Sequence, residues 1–118
     1  MSDRSRRVAV VTGGAIGIGA AIAEQLARAG AYVVTMDPVV TLDGSPQGAG
    51  SEPTTADRIV AAGGAARASS TSVTDEAAVR ALFTQLVDEH GSLDAVVNVA
   101  GISRATGFTS GTEEDWTK

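Results

Sequence analysis

The sequence predicts an α/β protein in which a parallel sheet is covered by helices on both faces. Three observations predict it. Short apolar, β-branched runs alternate along the chain with longer stretches whose apolar residues recur every three or four positions. The short runs are continuous rather than polar-alternating, as strands buried on both faces are. A glycine-rich turn separates the first run from the first helical stretch.

Val8-Ala-Val-Val11, ended by Thr12-Gly13-Gly14, is strand 1. From Gly17 to Ala29 the residues Ile18, Ala21, Ile22, Leu26 and Ala29 fall at helical spacing, and Gly30 suits the left-handed position past a helix end. Tyr32 to Met36 is strand 2, β-branched and apolar. Residues 38 to 53 are broken by Pro38, Gly44, Ser45, Pro46, Gly48, Gly50 and Pro53, which predicts a loop of unusual length. Thr54 to Ala62 is a short helix closed by Gly63-Gly64, and Ala65 to Ser70 is strand 3. Asp75 to Glu89 is a helix with Ala78, Val79, Leu82 and Leu86 on one face, acids in its first turn and His90-Gly91 at its end.

Leu93 to Asn98 is strand 4. Val96 and Val97 stand side by side, so both faces expect cover, and its outer edge is expected to be paired by another chain or by further protein. Gly101 to Gly111 is loop, and Thr112-Glu-Glu-Asp115 has the capping-box form that opens a helix, with Trp116 as its anchor. That helix receives a single turn before Lys118. The expectation is therefore that residues 1–118 are the N-terminal part of a single-domain protein, cut before its later segments. Crossovers are expected to be right-handed and the first four strands to take the order 3-2-1-4, with the switch point, where ligands bind beyond the carboxyl ends, between strands 1 and 4.

Composition narrows the function classes. The chain is 43% hydrophobic and 19% charged, as soluble globular proteins are. A net charge of −5 argues against a nucleic-acid or anionic-membrane partner. There is no Cys, hence no disulfide framework and no thiolate chemistry, which fits a reducing cytoplasm. The basic start, Met1 to Arg7, is followed only by Val8 to Val11, too short for a signal sequence or a membrane span. A cytoplasmic protein is expected.

The turn carries the chemistry. A diphosphate needs open backbone N–H groups at a helix N-terminus and no side chains blocking its approach. In Thr12-Gly-Gly-Ala-Ile-Gly-Ile-Gly19, Gly13 permits the tight turn, Gly17 the approach of backbone to ligand, and Gly19 close packing of helix on sheet. A P-loop would need Lys and Ser or Thr after its last glycine, where Ala20-Ala21 stand; G-x-G-x-x-G would need Gly at Ile22. What remains is T-G-x-x-x-G-x-G.

With that turn, Asp37 after strand 2, Asn98-Val-Ala-Gly101 after strand 4 and Glu113-Glu-Asp-Trp116, the chain resembles the short-chain dehydrogenases/reductases of the main type. Ile16 excludes the T-G-x-x-G-x-x-G of the extended type, and the resemblance runs over residues 7 to 118. It implies a Rossmann-type sheet, a nicotinamide dinucleotide cofactor, a small alcohol or ketone substrate and a homo-oligomeric enzyme. It also implies a cofactor set of Gly13, Ala15, Ile16, Gly17, Ile18 and Gly19 in the turn, Asp37 and Pro38 after strand 2, Ser72 and Val73 after strand 3, and Asn98, Ala100 and Gly101 after strand 4.

Asp37 can accept hydrogen bonds from both adenosine ribose hydroxyls and would repel the 2′-phosphate of NADP. Positions that carry a base in NADP-selecting relatives are Ile16 and Pro38, so NAD is expected; the plain alternative is that Asp37 is a turn residue before Pro38. Relatives often place an Asp at the end of strand 3 for adenine; here Thr71 or Ser72 stands, without charge assistance, and Val73 could offer its N–H. The second residue of Asn98-Val99-Ala100-Gly101 departs from the usual N-N-A-G, and Asn98 serves either the ligand or strand-to-strand ties. Ala100 and Gly101 would let ribose and nicotinamide lie close to backbone.

Hydride transfer needs a general acid/base, in relatives a Tyr with a Lys four residues on, helped by Ser and Asn. The sole Tyr, Tyr32, is followed four residues later by Met36, and the sole Lys is Lys118. No catalytic residue is therefore assigned, and this chain by itself is expected to be inactive, its partner being the remainder of the enzyme. His90 at a helix end and the scattered Asp57, Asp75, Glu76, Asp88 and Glu89 predict no metal site. Only Ile102, Ser103 and Arg104 are placed to approach a substrate. The rival class is a half-fold that binds NAD or a protein without catalysis; a Tyr-x-x-x-Lys downstream would decide for the enzyme.

Overall fold

The structure is a computed structural model and describes residues 6–38 and 53–101. Strand β1 (Val8–Thr12), helix α1 (Gly17–Arg28), strand β2 (Tyr32–Met36), helix α2 (Thr55–Ala61), strand β3 (Ala65–Ser69), helix α3 (Glu76–His90) and strand β4 (Ala95–Asn98) follow one another. All strand pairs are parallel, in the order β3-β2-β1-β4. The element order and sheet order are those the sequence predicts. The capping-box segment from Thr112, Trp116, the substrate-facing Ile102, Ser103 and Arg104, and loop positions 39–52 lie outside the described residues.

Each terminus follows from its chemistry. Thr54 caps α2 through a full capping box with Asp57, and Asp75 caps α3 by accepting from the Ala78 amide. Gly30, Gly63 and Gly91, the last at the end of α3, take the positive φ that lets a chain leave a helix.

The core has two halves, one per sheet face. Val10, Val34 and Met36 meet Leu82 and Leu86 of α3, with Tyr32, Val79, Phe83 and Leu93 around them. Val11 and Val33 meet Ala23 of α1 and Ile59 of α2, with Ile22, Leu26 and Val97 alongside. Alternation along β1 and β2 sends successive valines to opposite faces, which is why these runs are apolar throughout.

Two details differ from the sequence expectation. Helix α1 turns Ala20, Ala23 and Ala27 toward the sheet while Ile18, at 72% exposure, faces outward with Ala21 and Ala29. Small residues on the inner face let the helix lie close to the strands. Among the described residues strand β4 is covered on one face: α3 lies over β1 and β2, so Val96 is exposed while Val97 packs with Val11. Among the described residues no strand lies on the outer side of β4.

Asp94 ties β4 to β1 at the amino end of the sheet. Its carboxylate Oδ2 accepts from the Val8 amide at 2.7 Å and its own amide donates to the Val8 carbonyl at 2.8 Å. The Val8 amide, then the Ser92 hydroxyl, then the charge of Arg7 hold the Asp94 carboxyl below the ordinary aspartate value. Asp57 is lowered by the Thr54 amide and hydroxyl, and Glu89 by Gln85, then by the charge of Arg67. A carboxylate lowered by folding stabilises the fold above its unfolded pKa, and that contribution is lost as pH falls through the folded value. The melting temperature is therefore expected to drop on acidification below the ordinary carboxylate range, and less steeply in Asp94→Asn. Identical melting profiles from pH 6 to pH 2 would remove Asp94 from this account.

Candidate functional site

Four segments meet at the carboxyl end of the sheet, where β1 runs into the glycine turn. Gly13 takes φ +68° and its amide donates to the Met36 carbonyl at 2.9 Å, so the turn is pinned to the end of β2. Asp37 follows directly, its amide donating to Ser69 of β3 and its Oδ2 accepting from the Ala15 amide at 3.1 Å. The predicted acidic residue is thus in contact with the predicted turn.

Thr12, buried at 2% exposure, joins the turn to the segment after β4. Its Oγ1 accepts from the amides of Val99 at 3.0 Å and Ala100 at 3.1 Å, and lies 3.4 Å from the Val97 carbonyl. A Cβ on Gly13 would lie 2.9 Å from the Ala100 nitrogen, so β1 and residues 99–100 approach as closely as backbone allows. Asn98 pairs in register with Thr12 and is exposed, as is Gly101.

The glycines divide the work differently from the sequence expectation in one respect. Gly19 packs on the turn itself, because its Cβ would sit 2.0 Å from the Gly13 carbonyl oxygen. Packing on the sheet falls to Gly14, whose Cβ would meet Thr35 of β2 at 2.9 Å. Gly17, at φ +58°, has nothing within 4 Å of a built Cβ, so the mouth of the turn is open there.

The start of α1 is electrostatically unspent. Its N-cap residue, Ile16, offers no side-chain hydrogen bond, and its first turn holds no acid, whereas α2 and α3 are both capped. Ala20 is the first residue of the helix whose amide reaches a carbonyl one turn back, that of Ile16 at 3.2 Å. The amides of Gly17, Ile18 and Gly19 precede it and carry the positive end of the helix dipole. Ile16 at 51% and Ile18 at 72% exposure flank them, a polar cradle with apolar rims. Such an arrangement can receive an anionic group on a partly apolar ligand.

Ser72 and Val73 lie beyond β3, on the far side of Asp37. The Ser72 hydroxyl is 2.7 Å from that of Thr74 and accepts from the Thr74 amide, shaping the approach to α3, while Val73 is 49% exposed. Pro38 is exposed next to Asp37. Two further contributors, Thr12 and Thr55, come from outside the predicted set. The Thr55 hydroxyl donates to the Ala15 carbonyl at 2.9 Å across 40 residues of chain. Neither announces itself locally, since each acts on a distant segment.

His90, Glu76 and Glu89 are engaged away from the turn. His90 stacks on Tyr32 with ring centroids 4.3 Å apart, at the amino end of β2 and so at the opposite end of the strand from the turn. Glu76 pairs with Arg80 and Glu89 with Arg67. Among the described residues no group of His, Cys, Asp or Glu converges to hold a metal, and no helix is long and apolar enough to cross a membrane.

Residues 7–118 match the family model described as short chain dehydrogenase. A hydroxyacyl-CoA dehydrogenase, ChsB1, of Mycobacterium tuberculosis is 39% identical over 118 residues, spanning 98% of this chain and 35% of its own length. A crystal structure of a short chain dehydrogenase from Mycobacterium avium is similar with a TM-score of 0.76 and 40% identity, over 93% of this chain and 38% of that one. A metagenomic short-chain oxidoreductase in complex with NADP superposes with a TM-score of 0.73 at 32% identity, over 94% of this chain and 47% of that one. The chain thus spans about a third of the length of the curated relative.

Proposed function

The chain belongs to the short-chain dehydrogenase family, and from that premise we propose that it is the NAD-holding part of an oxidoreductase acting on a secondary alcohol or ketone. The observation that carries the reading is the uncapped start of α1, opening on a glycine turn whose Ala15 amide is held by Asp37.

The residues present fit a dinucleotide. The amides at the start of α1 would take the diphosphate, and the space beside Gly17 would admit it close to backbone. Asp37 would accept from the adenosine ribose hydroxyls, while Ser72 and Val73 would border the adenine. Ala100 and Gly101, beside Gly13, would let the second ribose and the nicotinamide lie flat on the chain. When bound, NAD supplies the acceptor for a hydride. One structural relative holds NADP, so the preference for NAD rests on this chain's Asp37 and on the absence of a base at Ile16 and Pro38.

The proton of the reaction needs a different group. Tyr32 is stacked on His90 at the wrong end of β2, so no catalytic role falls to it. The proposed work of this chain is to bind and orient the cofactor, with Ile102, Ser103 and Arg104 approaching the substrate and the acid/base supplied from outside residues 1–118.

Calorimetry tests the site directly. The protein is expected to bind NAD, and Gly17→Val to weaken that binding about tenfold, because the added side chain fills the open space through which the diphosphate would reach the backbone. Unchanged affinity in Gly17→Val would move the diphosphate elsewhere.

A further inference from the structure

The geometry points to Thr55 as a positioning residue for the dinucleotide turn: we propose that its hydroxyl, oriented by Arg58, aims the peptide between Ala15 and Ile16 at the diphosphate. The inference rests on the cofactor reading above and adds to it a residue from a different helix.

Thr55 is the first residue of α2 and is 0% exposed. A buried threonine hydroxyl at a helix start usually serves the cap. Here that role is filled by Thr54, whose side chain accepts from the Asp57 amide while Asp57 accepts from the Thr54 amide. The Thr55 hydroxyl is left for another task, and it reaches the Ala15 carbonyl at 2.9 Å.

The direction of that bond is fixed by the Ala15 carbonyl, which only accepts, and Arg58 adds a second contact to the same hydroxyl. Its Nη2 lies 3.1 Å from Thr55 Oγ1, and a guanidinium only donates. Thr55 therefore accepts from Arg58 while its single proton goes to Ala15, and the two contacts together fix the hydroxyl's rotation. Arg58 is itself held, with Nη1 donating to the Pro53 carbonyl at 3.1 Å and Nε 3.4 Å from Glu24 of α1. The chain of contacts runs from α1 through α2 to the turn.

The consequence is geometric. Asp37 takes the Ala15 amide on one side and Thr55 takes the Ala15 carbonyl on the other. In a planar trans peptide the carbonyl and the following N–H point in opposite directions. Fixing the Ala15 carbonyl toward α2 therefore aims the Ile16 amide away from α2, ahead of the amides of Gly17, Ile18 and Gly19. Pre-aimed donors bind an anion without the cost of ordering them first.

The test uses the protein with Thr55→Val, which keeps the shape and removes the hydroxyl, and with Thr55→Ser, which keeps the hydroxyl. Affinities for NAD, ADP and adenosine are measured by calorimetry and ligand-observed NMR. Thr55→Val is expected to lower NAD and ADP affinity about tenfold, the loss of the part-buried hydrogen bond that holds the Ala15 carbonyl in place, with adenosine within about twofold and Thr55→Ser near the unmodified protein. Unchanged NAD and ADP binding in Thr55→Val would overturn the proposal. So would an equal loss for all three ligands, or a Thr55→Ser variant that behaves like Thr55→Val. If Thr55→Val does not fold, Arg58→Gln at the exposed end of the chain of contacts gives the same test, with a smaller loss for NAD and ADP. If the unmodified protein binds neither NAD nor ADP, the cofactor reading fails by itself. Amide exchange then judges Thr55: faster exchange at Ile16 to Gly19 in Thr55→Val, but not at Val8 to Val11, supports the positioning role, and unchanged exchange ends it.

Discussion

Gly19→Ala is expected to cost about 3 kcal/mol of stability, the upper end of ordinary overpacking, and to abolish NAD binding with it. The added Cβ would fall 2.0 Å from the Gly13 oxygen and 2.6 Å from its carbonyl carbon, both backbone atoms. No rotamer change can relieve such a contact. Gly13 has nowhere to retreat, since its amide is bonded to Met36 and its α-carbon abuts residues 99 and 100. The strain passes into β2 and the segment after β4, the same segments that frame the proposed cofactor site. Chemical denaturation and NAD calorimetry on the variant check both parts. A Gly19→Ala protein with unchanged midpoint and affinity would mean that the turn is not built as described. Gly17→Val gives the contrast, because nothing surrounds its Cβ position and its cost to stability arises from φ +58° alone.

Asp37 is expected to show the second large effect, and it has two jobs to separate. The unmodified protein should prefer NAD to NADP. Two unit charges about 4 Å apart at an effective dielectric near 20 repel by about 4 kcal/mol, and a third of that is already about tenfold in affinity. The same carboxylate holds the Ala15 amide at 3.1 Å. Asp37→Ser removes both the charge and the reach, so NAD affinity should fall while the gap to NADP narrows about tenfold. Asp37→Asn keeps an acceptor for Ala15 and removes only the charge. It should narrow the gap with a smaller loss of NAD binding. Paired titrations with NAD and NADP decide the matter; equal affinities in the unmodified protein, or an unchanged ratio in Asp37→Asn, would reject the charge argument.

The glycine turn and the acidic residue that meets it were legible because they are local. Thr12 to Gly19 and Asp37 each stand at the end of a strand the valines announce, and the order of a right-handed crossover sheet brings those ends together. The partition of labour among the glycines was not legible. Which backbone atoms crowd Gly14 and Gly19 depends on the path of the turn, and spacing does not encode that path.

What the sequence by itself determined is the series of elements. The β-branched runs of β1 and β2 report burial on both faces, and Thr54, Asp75, Gly30 and Gly91 mark helix ends through their own hydrogen bonds or φ. What only the tertiary structure decided is which face of α1 goes inward, how far α3 extends over the sheet, and which distant groups hold the turn. Ala20 and Ala23 displace Ile18 from the interface because close approach to the strands favours small residues there, although helical spacing admits either face. Thr12 joins residues 87 and 88 positions away, and Thr55 acts across 40. Hydrogen bonds of that span leave no periodicity behind, because their partners meet only after the sheet has formed.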